Sequence, residues 1–366
     1  MSDRSKIPVV YYHSIGPAIP TWYRNFLTLS PEQFREHLGF FRRNYTVISL
    51  KELWMIVNGH SAPVLRPLVI TFDDGYSDNY TWAFPLLKEY GLKATIFVSP
   101  DFTDEREIER TGPDDRGFLS WKEMRLMDSS GLVEIQSHTL THTKYFVSDR
   151  LTGFHHPGGD ILYPAGNVFP GKKKDSVSDP SFEGLLPYGY PLFEEGSAVT
   201  SRRAFINPEF VDQCVSRLQN YDFGNYNFKD AFELVSPLYD SYRRSGRLVT
   251  ATESDDEYSE RVRSEIRGSK KIIEERLNKK VEFLCWPHGD NNESLHRMAL
   301  DAGYLMTTRG KAMGRKEPDL SRIPERMGVN FSSWRRKQKT KFKLRACSGE
   351  APYSLLMSIS RHYRKE

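Results

Sequence analysis

The sequence predicts an α/β protein built on a mostly parallel sheet, closed or open, and interrupted by a large insertion. Three observations lead there. Short apolar runs recur between longer segments of helical spacing, and the segments that carry Asp73 with Asp74 and His138 with His142 each follow such a run. The alternation then breaks between about residues 144 and 260, where Gly, Pro and polar residues cluster.

The apolar runs are PVVYYH (8–13), TVISL (46–50), LVITF (68–72), ATIFV (94–98) and VEIQS (133–137), then VEFLCW (281–286) and YLMTT (304–308). They are rich in Val, Ile and aromatic residues, the pattern of buried strands. Between them SPEQFREHLGFFRRN (30–44) and SDNYTWAFPLLKEYG (77–91) carry helical spacing, with Ser30 and Ser77 as N-caps and Gly91 as a stop. In the interrupted stretch GFHHPGG, YPAGN, FPGKKKDSVSDPS and PYGYP read as loop, and PEFVDQCVSRLQNYDF and FKDAFELVSPLYDSYRR as helix. The segment 258–280 returns to a helical pattern that leads into the next strand. The expected organisation is a barrel or sheet domain from 1–143 and 258–330, a partly helical insertion at 144–257 and a basic extension at 331–366.

The 366 residues fit one elaborated domain as well as two. With 52 Lys and Arg against 48 Asp and Glu, the net charge of +4 supplies no global field for nucleic acid, and no nucleic-acid partner is expected. The start MSDRSKIPVVYYHSIG has no apolar signal core, and no stretch approaches the roughly 20 apolar residues of a membrane span, so the expectation is a cytoplasmic protein. Cys214, Cys285 and Cys347 are too scattered for a disulfide framework or a CxxC metal site. Metal binding must come from His and carboxylates. The terminal run SWRRKQKTKFKLRACSG (333–349), followed by Leu355, Leu356, Ile359 and Tyr363 at helical spacing, points to peripheral contact with anionic lipid or a lipid-linked glycan, or to a basic helix docked on the domain.

LVITFDDGYSDNY sets two adjacent carboxylates, Asp73 and Asp74, where an apolar strand meets a glycine turn. Strand C-termini form the reactive face of α/β architectures, although an Asp pair there also serves as a helix cap. SHTLTH places His138 and His142 after another apolar run. A carboxylate and two imidazoles from such positions can converge on one metal and leave coordination sites for water and substrate.

These residues resemble the polysaccharide deacetylases with the NodB-homology domain: TFDDG (71–75) is similar to that family's first motif and HTLTH (138–142) to its second. The likeness covers roughly residues 5–143 and 258–327. It implies a distorted, incomplete (β/α) barrel with a large insertion and a hydrolase that removes N-acetyl groups from an amino-sugar polysaccharide or oligosaccharide. It also implies Asp73 as general base, and Asp74, His138 and His142 as ligands of one divalent metal ion, zinc.

Amide hydrolysis further needs an acid to protonate the departing nitrogen. The family's late-motif histidine has no counterpart in LSRIPERM (320–327). His13, ending PVVYYH, resembles the N-terminal acid of the poly-β-1,6-N-acetylglucosamine deacetylase subgroup. His288 in CWPHGD is the second candidate, and by the same resemblance Trp286 and His288 border the substrate pocket. The arginine that orients the base in the family is unassigned, with Arg150, Arg202 and Arg203 as candidates and Arg322, beside Glu325 and Arg326, as another from the late strand. The rival chemistry is a deacetylase or amidohydrolase of a small-molecule or lipid-linked amide. Two further rivals fit less well. A non-haem iron oxygenase holds its ligands in an H-x-D/E segment, and a glycan-binding protein needs no base beside a metal.

Overall fold

In the computed structural model, residues 7–18, 25–112, 117–159, 185–309 and 319–362 are described. Their strands, in chain order, are β1 (Val9–Tyr12), β2 (Ser14–Ile15), β3 (Thr28–Leu29), β4 (Thr46–Val47), β5 (Pro67–Phe72), β6 (Ala94–Val98) and β7 (Val133–Ser137). There follow β8 (Lys144–Phe154), β9 (Pro191–Ser197), β10 (Ala204–Ile206), β11 (Val249–Thr252), β12 (Phe283–Leu284), β13 (Met306–Thr308), β14 (Arg322–Ile323) and β15 (Arg326–Gly328). The chain divides into two compact units, Met1–Thr139 with Arg267–Glu366, and Leu140–Ile266. The terminal basic helix thus groups with the first unit.

In the first unit the strands run in the order β14-β13-β12-β7-β6-β5-β1-β15, with β4 beside β5, and every pairing is parallel. The order itself shows that the sheet curls. Eight strands laid flat at about 4.8 Å spacing separate the outermost two by about 34 Å. Only Pro324 and Glu325 lie between β14 and β15, and three residue steps reach about 11 Å. The sheet is therefore nearly closed into a barrel, and all its strand C-termini open on one end. Val9, Val69, Phe97, Phe283, Met306 and Ile323, one from each of six strands, form a buried cluster with Cys285. Each such large side chain contributes about 1.5–3 kcal/mol on burial.

Local sequence explains the surrounding helices. Ser30 accepts from the backbone N–H of Gln33 and Pro31 opens helix Pro31–Asn44. Ser49 with Glu52, and Ser120 with Glu123, close reciprocal capping boxes on Leu50–Val57 and Trp121–Ser129. Ser77 is not the cap that its sequence position suggested: a π-helical turn, Asn79–Ala83, starts after Asp78 and passes into helix Phe84–Tyr90. That helix stops at Gly91 in the left-handed conformation (φ 62°), as the stop signal predicts. The strand read at 281–286 is shorter than expected, because only Phe283 and Leu284 pair with neighbours.

Helix Trp334–Cys347 buries Thr340, Leu344 and Ala346. Part of its charge serves docking: Lys337 pairs with Glu36, Lys341 lies over the Phe40 ring and Arg345 bonds Glu350. Arg335, Arg336, Lys339 and Lys343 remain exposed beside Trp334, which is 73% exposed. Tyr363 and the side chain of Ile359 lie outside the described residues. No helix of the described residues is long and apolar enough to cross a membrane.

The second unit is built on two antiparallel pairs, β8 with β9 and β10 with β11. Helices Pro208–Arg217 and Phe228–Arg244 cover its own core, which includes Phe154, Phe193, Phe210, Val235 and Tyr239. Tyr190, Tyr221, Phe223 and Tyr226 pack against that core, and Tyr188 and Phe205 are partly exposed. Residues 160–184, which hold YPAGN and FPGKKKDSVSDPS, lie outside the described residues.

Candidate active site and metal centre

Parallel strands bring residues distant in sequence to the same end of the barrel. His13 follows β1, Asp73 and Asp74 follow β5, His138 follows β7, and Cys285 and Trp286 follow β12. Asp73 donates its N–H to the Tyr12 carbonyl (2.9 Å) and His138 donates its own to the Val98 carbonyl (2.8 Å). Each motif thus stays in register with its neighbour strand for one residue past the strand's end. Gly75 is obligatory in the first motif: its φ is 71°, and a Cβ would meet Val98 Cγ1 at 2.8 Å.

Asp73 is buried and gripped by Arg326, whose two terminal nitrogens donate to Oδ1 (2.6 Å) and Oδ2 (2.9 Å). This is the two-point fork that only a guanidinium provides. Arg326 opens β15, paired with β1 at Val9, and its guanidinium also contacts Cys285 Sγ (3.1 Å) and lies over the rings of Tyr11 and Phe97. Burial pushes the Asp73 carboxyl upward, yet Arg326, then His138 and His13, outweigh it and hold the group below the usual carboxylate range. His13 Nε2 stands 4.0 Å from Asp73 Oδ2 with its side chain 23% exposed, so the carboxylate is enclosed and the imidazole is open to solvent.

Asp74 faces the other way, as adjacent residues do. Its Oδ1 lies 3.3 Å from His138 Nε2. The turn on which the chain leaves the barrel unit carries His142, and ligand atoms of Asp74, His138 and His142 all lie within 4.8 Å of one another. All three residues are buried. Two ligands of a tetrahedral zinc, each about 2.0–2.1 Å from the ion, stand about 3.4 Å apart, which the Asp74–His138 separation of 3.3 Å matches. His138 Nδ1 sits 2.8 Å from the Cys285 carbonyl, a partner that can only accept, so Nδ1 carries the proton and Nε2 is turned toward Asp74. Burial lowers the His138 imidazole, but Cys285 and the Asp74 carboxylate raise it well above its usual value. The donor set, burial and tautomer suit a divalent ion. Asp73, His138 and Cys285 also group within 4.8 Å, but Arg326 already fills the space on Asp73 with positive charge.

Backbone strain gathers here. Asp74, Thr139, His142 and His288 take positive φ of 70°, 65°, 46° and 58°. Such residues cost about 1–3 kcal/mol each and cluster where function demands the geometry.

Several expectations need correcting. Arg322, one of the arginines expected to orient Asp73, instead bonds Asn291 and pairs with Glu293 and Asp319; Asp73 is held four residues later by Arg326. Arg150 and Arg202 pair with Glu194 and Asp255, and Arg203 lies over the Tyr145 ring. Trp286, read as a pocket wall, is 0% exposed and presents no ring face to a sugar in this conformation. His288 sits on the turn Pro287–Gly289 beyond β12, half-buried, at the same end of the barrel as Asp73.

Sequence reasoning missed a second layer. Asn79, on the π-helical turn, donates through Nδ2 to the His13 carbonyl (2.8 Å) and to Asp78 Oδ1 (3.0 Å). Asp78 Oδ2 accepts from the Ser14 hydroxyl. These bonds tie the segment bearing His13 to the segment bearing Asp73. Burial raises the Asp78 carboxyl to about 7. A folded-state value above the unfolded one means that the native protein holds a proton the unfolded chain releases. Stability is therefore lost as pH rises from about 4 to about 7, by about 3 kcal/mol. Asp78→Asn should remove that slope. Urea unfolding at pH 4.5 and 7.5 checks it, and an unchanged slope in the variant refutes the assignment.

Residues 63–155 match the polysaccharide deacetylase family. The Bacillus subtilis protein YxkH, named as a polysaccharide deacetylase, is 32% identical over 139 residues, which cover 38% of this chain and 44% of that protein. The poly-β-1,6-N-acetyl-D-glucosamine N-deacetylase of Escherichia coli K12 is 26% identical over 136 residues, covering 36% of this chain and 20% of that one. The chain thus spans less than half the length of these curated relatives. Two solved structures share the fold. A de-N-acetylase from Aggregatibacter actinomycetemcomitans has a TM-score of 0.52 at 20% identity, covering 88% of this chain and 93% of that one. The BpsB deacetylase domain from Bordetella bronchiseptica has 0.53 at 19%, covering 90% and 98%.

Proposed function

From the polysaccharide deacetylase domain that the chain carries, we propose that the protein hydrolyses N-acetyl groups on an N-acetylated amino-sugar polymer or oligomer and releases acetate. The observation that carries this reading is the division of labour between adjacent carboxylates: Asp73 is clamped by Arg326 within 4.0 Å of His13, while Asp74 faces His138. In the proposed site Asp74, His138 and His142 hold one divalent ion, zinc. When bound, such an ion supplies Lewis acidity toward the acetamide carbonyl and acidifies water. Asp73 takes the proton of the attacking water, because Arg326 keeps its carboxyl ionised and fixed in direction. His13, with one face in solvent, gives a proton to the departing nitrogen, without which the amine leaves too slowly to matter. The activity for which the E. coli relative is named supports a polymer of N-acetylglucosamine as the substrate class.

The test is acetate release from β-1,4 and β-1,6 N-acetylglucosamine oligomers with and without chelator. Release that chelation stops and added zinc restores is the expected result. Release from small acetamides alone would transfer the reading to a small-molecule amidohydrolase, and no release from any of them would end it.

A further inference from the structure

The two histidines of HTLTH are separated by Thr139, Leu140 and Thr141, and the turn between them is strained at both ends: Thr139 has φ 65° and His142 has φ 46°. A β-branched residue rarely takes that conformation, so something outside the turn must hold it. Glu265, on helix Asp255–Leu277, is placed to do so. It is 2% exposed, and its Oε2 accepts the backbone N–H groups of both Leu140 (3.0 Å) and Thr141 (2.9 Å). Its Oε1 accepts the Thr141 hydroxyl at 2.5 Å. Three donors on one buried carboxylate are a charge-assisted clamp on the two residues midway between the histidines. The clamp comes from 124 residues away in sequence, so the turn is not a self-contained local structure.

We propose that Glu265 is a positioning residue for the metal centre, and that it sets the approach of His138 and His142 by fixing the Leu140–Thr141 backbone. This rests on the reading of those histidines as metal ligands. Glu265 spends its acceptors on the turn and is not itself a ligand. Groups that orient ligands typically change metal affinity about 10- to 100-fold when removed. The carboxamide of Glu265→Gln keeps an oxygen able to accept both N–H groups, so geometry and not charge is the property under test.

The experiment measures the dissociation constant for zinc by competition with a chromogenic chelator, on the full chain, with circular dichroism confirming the fold of each variant. The wild type is expected to bind one equivalent, Glu265→Ala to bind about 10- to 100-fold more weakly, and Glu265→Gln to stay within about threefold of the wild type. If Glu265→Ala does not fold, Glu265→Asp is read in its place, since the shorter arm withdraws the carboxylate from the turn. Unchanged affinity in Glu265→Ala, or in Glu265→Asp when it is the variant read, overturns the proposal. So does a Glu265→Gln variant as weak as the alanine one. A wild type that binds no zinc overturns the metal reading instead, which separates the two failures.

Discussion

Asp73→Asn is expected to lower acetate release by about 10³-fold while leaving one equivalent of metal bound. The asparagine has the same shape and keeps an oxygen that one arm of the Arg326 fork can bond. The site should stay folded, with Asp74 and His138 undisturbed at their 3.3 Å contact. What disappears is the carboxylate that Arg326 holds ionised at 4.0 Å from His13, and an amide cannot take a proton from water at neutral pH. A residual rate about 10² to 10⁴ below the wild type, with metal content unchanged by atomic emission, is the signature of a missing base. Loss of metal from Asp73→Asn would reverse the roles of the two aspartates. Full activity would remove Asp73 from the chemistry.

The parallel barrel strands and most of their helices were legible because each is a local pattern: apolar runs for β1, β5, β6 and β7, a capping serine before Pro31–Asn44, a glycine stop at Gly91. The strand-end positions of Asp73, Asp74 and His138 followed from the same patterns. Arg326 did not, because its role depends on closure of the sheet, which sets β15 against β1 across more than 300 residues. The late segment holds two arginines four apart, and only the pairing of β14 with β13 and of β15 with β1 decides which one reaches Asp73. Glu265 was hidden for a similar reason: on an amphipathic helix it reads as one more solvated acid. Trp286 failed differently. An aromatic next to Pro is common to pocket rims and to cores, and burial at the end of a two-residue strand is not written in its neighbours.

Removing the other half of the clamp tests whether Asp73 is held by charge. Arg326→Leu takes from a buried carboxylate its largest counter-charge, and breaking a buried pair in this way costs about 3 kcal/mol, at the lower end of the usual range because the arginine is 14% exposed. The effect on activity should be of similar size and has its own cause. Without the guanidinium, burial dominates the Asp73 carboxyl and pushes it upward, so a larger fraction is protonated and cannot act as base. Acetate release should fall about 10²-fold, whereas Arg326→Lys, which restores one charge but not the two-point fork, should recover part of it. The two terms separate in a double-mutant cycle with Asp73→Asn. An uncharged amide loses one hydrogen bond but no ion pair when the arginine goes, so the double variant should be less destabilised than the sum of the single changes. Additive costs in urea unfolding would mean that Arg326 packs against Tyr11 and Phe97 as an apolar arm, and that the charge on Asp73 is maintained by something else.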